Sequence, residues 1–223
     1  SSAASDVYKR QFMSNAKQID QLLEGFLKRG LPGCGLKVVQ YGNTLYEGYF
    51  GVTDIDTKTP VTKDTLFRQA SMSKIPLYTV MMMLYERGKF LLTDPIGDYL
   101  PEWKTSTRYD RHPNGYVDIV PTSRPINIRD VMSMKCGLPY CNSAAPTHDL
   151  VMTGMQECMQ PLWEKGSYTL KEHLSAMSKA PLACDPGTHW IYGFSSELAA
   201  GIIEAVCDKP VNDVFKAVSY THL

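Results

Sequence analysis

Residues 61–74 read Val61-Thr62-Lys63-Asp64-Thr65-Leu66-Phe67-Arg68-Gln69-Ala70-Ser71-Met72-Ser73-Lys74. The half from Thr65 to Ala70 has an extended character. A helical pattern takes over at about Ser71 and runs to Arg87, with Gly88 as its stop. Ser71 therefore stands at a helix start, beside unpaired backbone N–H groups and the positive end of the dipole. Three residues on, Lys74 falls on the same helical face. A serine hydroxyl is a poor nucleophile until a neighbour takes its proton. A partly desolvated lysine of lowered pKa can act as that base. On spacing alone, an ordinary N-cap serine with a solvated lysine is the better explanation of the pair. The same S-x-x-K spacing recurs at Ser14-Asn15-Ala16-Lys17, inside an amphipathic helix, where it reads as ordinary surface.

Upstream, Phe12, Ala16, Ile19, Leu22, Leu23, Phe26 and Leu27 make the apolar stripe of a first helix, ended by Gly30 and Pro32. Leu36–Tyr41 and Thr44–Phe50 read as two strands joined by a turn at Gly42-Asn43. Downstream, 105–127 carries Pro113, Asn114, Gly115, Pro121 and Pro125 and reads as an irregular excursion. A short helix is expected near Ile128, a loop over 137–148, and helices over 149–160, 169–178 and 196–207. Pro186-Gly187 makes a turn, and little strand is expected after residue 50.

Composition narrows the function classes. A chain of 223 residues buries about 70% of its unfolded surface, enough for a real core. Lys plus Arg and Asp plus Glu both number 23, so no basic excess draws nucleic acid or anionic lipid. No apolar run is long enough for a membrane-spanning helix. Small-molecule chemistry is the class that remains. The sequence has no G-x-S-x-G, H-E-x-x-H, P-loop or G-x-G-x-x-G pattern. Cys34, Cys136, Cys141, Cys158, Cys184 and Cys207 form no C-x-x-C pair. Cys136 and Cys141 with His148, or Cys184 with His189, fit no standard zinc spacing and read as plain thiols. The end segments 1–11 and 218–223 look foreign, like translated adapter DNA, and are set aside from fold reasoning.

The stretch 61–74 resembles the nucleophile segment of the β-lactamase-related serine hydrolases, the group of class C β-lactamases, family VIII esterases and D-alanyl-D-alanine carboxypeptidases. Further landmarks follow in order. They are Leu92-Thr93-Asp94-Pro95 with Tyr99-Leu100-Pro101, Ile126–Met132 with Cys136-Gly137-Leu138-Pro139, and Pro186-Gly187-Thr188-His189-Trp190-Ile191-Tyr192. The family's Ser before the Gly is here Cys136. The resemblance covers nearly all of 12–217. It implies an α+β, β-lactamase/transpeptidase-like fold: an antiparallel sheet with flanking helices beside an all-helical domain. On that basis 12–66 is the first helix and hairpin, and 67–217 is the nucleophile helix and helical domain through the tyrosine motif. The later strands are expected to be missing, and the polypeptide alone to be unstable and inactive.

The same resemblance implies a catalytic set of Ser71, Lys74 and Tyr192, acting through an acyl-enzyme on an ester or amide. Tyr192-Gly193-Phe194 matches the family's Y-x-N, with Phe194 in place of the amide, which favours an esterase over a β-lactamase. Trp190 and Phe194, with loops 105–127 and 139–168, are expected to shape an apolar acyl pocket. The family's third motif, K-T-G or H-x-G, is not found after Tyr192. Lys28-Arg29-Gly30 and Lys135-Cys136-Gly137 precede the tyrosine and read as chance. No cofactor or metal is implied. A penicillin-recognising enzyme and a non-catalytic binding homologue are the competing readings.

Overall fold

The computed structural model describes residues 16–141 and 149–222, with side chains through 217. It divides between Gln69 and Ala70 into two units. In the first, helix α1 (16–28) ends in a turn at Gly30. Strands β1 (Gly33–Gln40) and β2 (Asn43–Gly51) pair antiparallel, with a bulge between Val38 and Val39. The two-residue turn is Tyr41-Gly42, both at positive φ (48° and 76°), one residue earlier than the Gly42-Asn43 turn expected from sequence. Two left-handed residues give a turn whose twist matches the strands, which explains the register. The Tyr46 hydroxyl donates to Asp20 at 2.5 Å and docks α1 on this hairpin.

The second unit carries the main core. A 3-10 turn at Ala70–Ser73 leads into α2 (Lys74–Glu86). After it come α3 (Ile128–Met132), α4 (Leu150–Lys165), α5 (Leu170–Met177), α6 (Ser195–Cys207) and α7 (Val211–His222). Segment 105–127 is not wholly irregular. Strands β3 (Thr107–Arg111) and β4 (Val117–Pro121) form an antiparallel hairpin within it. Pro113, Asn114 and Gly115 occupy its turn, and Tyr109 N–H and Leu182 N–H bond across to tie β3 to the core. α4 runs five residues past the expected 160, with Pro161 inside it. α7 continues the helical path through His222. Residues 1–15, 142–148 and 223 lie outside the described residues, and Ser14 and His148 with them.

α6 is the centre of this unit. Its Leu198, Ala199, Ile202 and Ile203 are fully buried and pack against Leu77, Val80, Met81 and Leu84 of α2 and Leu174 of α5. Burying a side chain of this size stabilises by roughly 1.5–3 kcal/mol. Caps fix the helix starts: Asn127 with Asp130 opens α3, Asp149 opens α4, and Thr169 with Glu172 opens α5. Asp130 is buried but fully occupied. Arg124 donates to both its oxygens at 2.6 and 2.9 Å, and Asn127 N–H adds a third bond. Gly187 at φ 84° passes against this pair, with no room for a Cβ between it and the Arg124 guanidinium. The Pro186-Gly187 turn thus packs against this ion pair, and its Gly187 N–H bonds Lys135 O at 2.8 Å just beyond α3.

All six cysteines are free thiols. Cys136 is fully buried, and burial pushes its thiol up to about 12, so it carries no nucleophilic chemistry. Among the described residues no cluster could hold a metal, and no helix is long and apolar enough to cross a membrane.

Candidate active site

Ser71 lies in the 3-10 turn rather than in α2 itself, and Lys74 begins that helix. The residue before the serine, Ala70, sits at φ 46°, a region non-glycine residues seldom adopt. Such a strained residue costs on the order of 1–3 kcal/mol, and structures tend to keep it where a side chain must be aimed. The effect here is to leave Ser71 exposed with its Oγ facing two groups. Tyr192 Oη donates to it at 2.9 Å across 121 residues of sequence. Lys74 Nζ donates to it at 3.3 Å.

Sequence reading missed a fourth member. Lys74 Nζ also donates to Tyr140 Oη at 3.0 Å, closer than its bond to the serine. The ammonium stands 5.5 Å from the Tyr140 ring centre and 5.2 Å from that of Tyr192, inside the range of cation–π attraction. The two tyrosine rings meet edge to face at 5.5 Å. Two backbone strings hold them side by side. Pro139 and Gly193 pair as an isolated antiparallel bridge, Phe194 N–H bonds Leu138 O at 3.2 Å, and Ile191 N–H bonds Met134 O at 2.9 Å. Gly193 passes so close to the Leu138 carbonyl that a Cβ there would overlap it. Gly193→Ala is therefore expected to destabilise by about 2–4 kcal/mol and to part the two tyrosines. A thermal melt beside an activity assay checks this, and an unchanged melt would show the strings are not rigid.

Phe194 and Trp190 take different places. Phe194 is buried, edge-on to Tyr140 at 4.8 Å and to His173 at 5.7 Å, so it supports the Tyr140 ring from the core. Trp190 is exposed and lies 6.2 Å from the Tyr192 ring. The first stands behind the site and the second at its open rim. His173 is half-buried between Tyr168 and Phe194, and that burial lowers its pKa, which keeps it neutral. His189 bonds Thr188, beside it in the sequence.

The electrostatics reverse one expectation. Burial alone would lower the Lys74 ammonium, but the Tyr140 and Tyr192 hydroxyls beside it outweigh that, and its pKa lies above the ordinary lysine value. The Ser71 hydrogen bond and the Lys74 ammonium pull the Tyr192 phenol below its ordinary value. Proton affinity is thus shifted toward the lysine and away from the tyrosine. Lys74 is a poor base here, against the reading of it as a desolvated amine, and the phenol is the better one. Tyr78 anchors the floor of this arrangement, joining α2 to α3 and α6 through Val131 O at 3.4 Å and Ser196 Oγ at 3.3 Å.

Comparison with known proteins gives the chain a lineage. The beta-lactamase family profile matches residues 19–218. Esterase EstB of Burkholderia gladioli is 25% identical over 201 residues, which is 89% of this chain and 47% of that protein. Two solved structures share the fold. EstCE1, a hydrolase with promiscuous acyltransferase activity, superposes with a TM-score of 0.72 at 21% identity, over 95% of this chain and 51% of its own. The D-amino acid amidase of Ochrobactrum anthropi SV3 gives 0.64 at 23%, over 93% and 49%. The chain spans about half the length of these relatives. Matched along nearly its whole length, with an α+β fold in common, the chain belongs to the beta-lactamase family.

Proposed function

We propose that this is part of a serine hydrolase that works through an acyl-enzyme on Ser71, with esters as the preferred substrates. The observation that carries the reading is the convergence on Ser71 Oγ of Tyr192 Oη at 2.9 Å and Lys74 Nζ at 3.3 Å. The Tyr192 phenolate, held by the Lys74 ammonium, takes the Ser71 proton as Oγ attacks the carbonyl carbon. The tetrahedral oxyanion collapses, the C–O bond to the alcohol breaks, and the leaving oxygen takes the proton back from Tyr192. Water then attacks the acyl-serine and gives its proton to the same phenolate; the second tetrahedral oxyanion collapses, the acyl–Oγ bond breaks, and Oγ takes that proton back from Tyr192 as the acid leaves. The Ser71 backbone N–H is one candidate donor to the oxyanion.

Phe194 supports the preference for esters. The amide that a Y-x-N motif would offer to a lactam or peptide is replaced by a buried ring. The discriminating experiment compares nitrocefin with a p-nitrophenyl ester in the whole protein. Faster ester hydrolysis is the expected result, and lactam hydrolysis alone would favour a penicillin-recognising enzyme. Absence of both activities, with no labelling by a fluorophosphonate, would favour a binding homologue.

Tyr140 enters as a positioning residue. Its hydroxyl accepts one Lys74 proton and so aims the ammonium at the pair Ser71 and Tyr192. Tyr140→Phe keeps the ring and its packing. It is expected to lower kcat about tenfold to a hundredfold, the value of one hydrogen bond to a charged group, with little change in KM. Loss of stability in place of loss of kcat would mark Tyr140 as packing only.

A further inference from the structure

Glu197 stands five residues past Tyr192, in the first turn of α6. Its own backbone N–H meets one side of the carboxyl, while Oε2 is buried and touches no hydrogen-bond partner. A buried carboxyl oxygen left without a partner is uncommon in folded proteins and asks for a cause. Glu197 and Lys74 both line a cavity of about 240 Å³, whose wall also includes Ser73, Leu77, Ser196 and Phe215. Among the described residues no other charged side chain lines this cavity. A space of that size with polar groups on its wall takes water.

We propose that Glu197 is a positioning residue of the Ser71 proton shuttle: across this cavity its carboxylate is the counter-charge to the Lys74 ammonium, and it opposes the negative charge that forms on Tyr192. The inference rests on the shuttle described above. Burial raises the Glu197 carboxyl on balance, against the smaller downward pull of its own backbone N–H and of the Lys74 charge. In turn the Glu197 charge acts against ionisation of Tyr192 and of Tyr78. The other titratable groups around it are few. Lys74 of α2 shares the cavity lining with it, while Tyr78 of α2 and Tyr192 before α6 feel its charge. Tyr140 reaches it through Lys74, and His173 of α5 is kept neutral by burial. α7 contributes apolar Val211 and Phe215. With Glu197 ionised, the resting site pairs one negative with one positive charge and leaves Tyr192 protonated. Without it, the ammonium is unbalanced and draws the charge onto Tyr192 instead.

The test reads Tyr192 directly. Tyrosinate absorbance of the whole protein is titrated with pH, and the Tyr192→Phe titration is subtracted to isolate that residue. In E197Q, Tyr192 is expected to ionise about 0.5–1 pH unit lower than in the parent, the reach of one nearby charge. The acid limb of fluorophosphonate labelling at Ser71 is expected to move with it. Should E197Q not fold, Glu197→Asp, which draws the charge back by one methylene, is expected to give a smaller shift of the same sign. An unchanged or raised Tyr192 titration in the folded variant overturns the inference. If the titration shifts but the parent Ser71 never labels, the hydrolase reading fails and the charge coupling stands. If Ser71 labels and no shift appears, the assignment of Glu197 falls alone.

Discussion

Replacing Ser71 by alanine is expected to lower ester hydrolysis by the whole protein at least about 10⁴-fold, since loss of a nucleophile removes the covalent path entirely. The residue is exposed and makes no bond that the core depends on. Its loss is therefore expected to move stability by no more than about 0.5 kcal/mol. That combination separates a nucleophile from a structural serine. An N-cap serine would show the opposite, a loss of stability with activity kept, and the N-cap of α2 is Ser73 rather than Ser71. KM is expected to change little, because the lost interaction is made in the transition state. Activity that survives Ser71→Ala would point elsewhere, and Ser73, two residues on and equally exposed, is the first alternative to check.

Tyr192→Phe carries the second largest expectation, a loss of about 10²–10⁴-fold in kcat, the usual worth of a positioned acid–base group. Here the sign of the pH dependence matters. The active form pairs Tyr192 as phenolate with Lys74 as ammonium. The tyrosine is shifted down and the lysine up. Rate is thus expected to rise as pH climbs through the lowered Tyr192 ionisation, and to fall as Lys74 loses its proton above the ordinary lysine value. Between the two lies a plateau wider than unshifted groups would give. In Tyr192→Phe the rising limb should vanish while residual activity persists. A variant that keeps the limb would move the base to another group. Lys74 is the weak candidate, because its proton is held by two tyrosine hydroxyls.

Much of this arrangement can be read from local spacing. Ser71 and Lys74 are three residues apart at a helix start, and α1, the first hairpin and the core helices follow from apolar periodicity. What spacing does not carry is any pairing over long distance. The Tyr140 bond to Lys74 joins residues 66 apart, and no periodic pattern links them. The one available signal is an aromatic immediately after Gly137-Leu138-Pro139, a landmark already singled out. The β3–β4 hairpin was hidden by its own turn. Pro113, Asn114 and Gly115 marked 105–127 as irregular, although Arg108-Tyr109-Asp110 and Asp118-Ile119-Val120 alternate as strands do. The first turn slipped by one residue because Tyr41 takes a left-handed conformation that sequence assigns to Asn or Gly. The S-x-x-K spacing by itself suggests a desolvated lysine base, because the two hydroxyls that overrule desolvation come from distant parts of the chain. Phe194 invites a place in an apolar acyl pocket with Trp190, because it stands two residues after Tyr192 in the tyrosine motif. Its burial follows from Gly193, which presses the chain against Leu138 and turns the ring inward.

Covalent trapping is the most direct measurement of the central claim. The whole protein is treated with a fluorophosphonate at a pH above the Tyr192 ionisation, and the product is read by intact mass and peptide mapping. One adduct per chain on Ser71, absent from Ser71→Ala and formed far more slowly in Tyr192→Phe, is the expected result. An adduct on another residue, or one that forms equally fast without Tyr192, would contradict the assignment of Ser71 and Tyr192 as nucleophile and base.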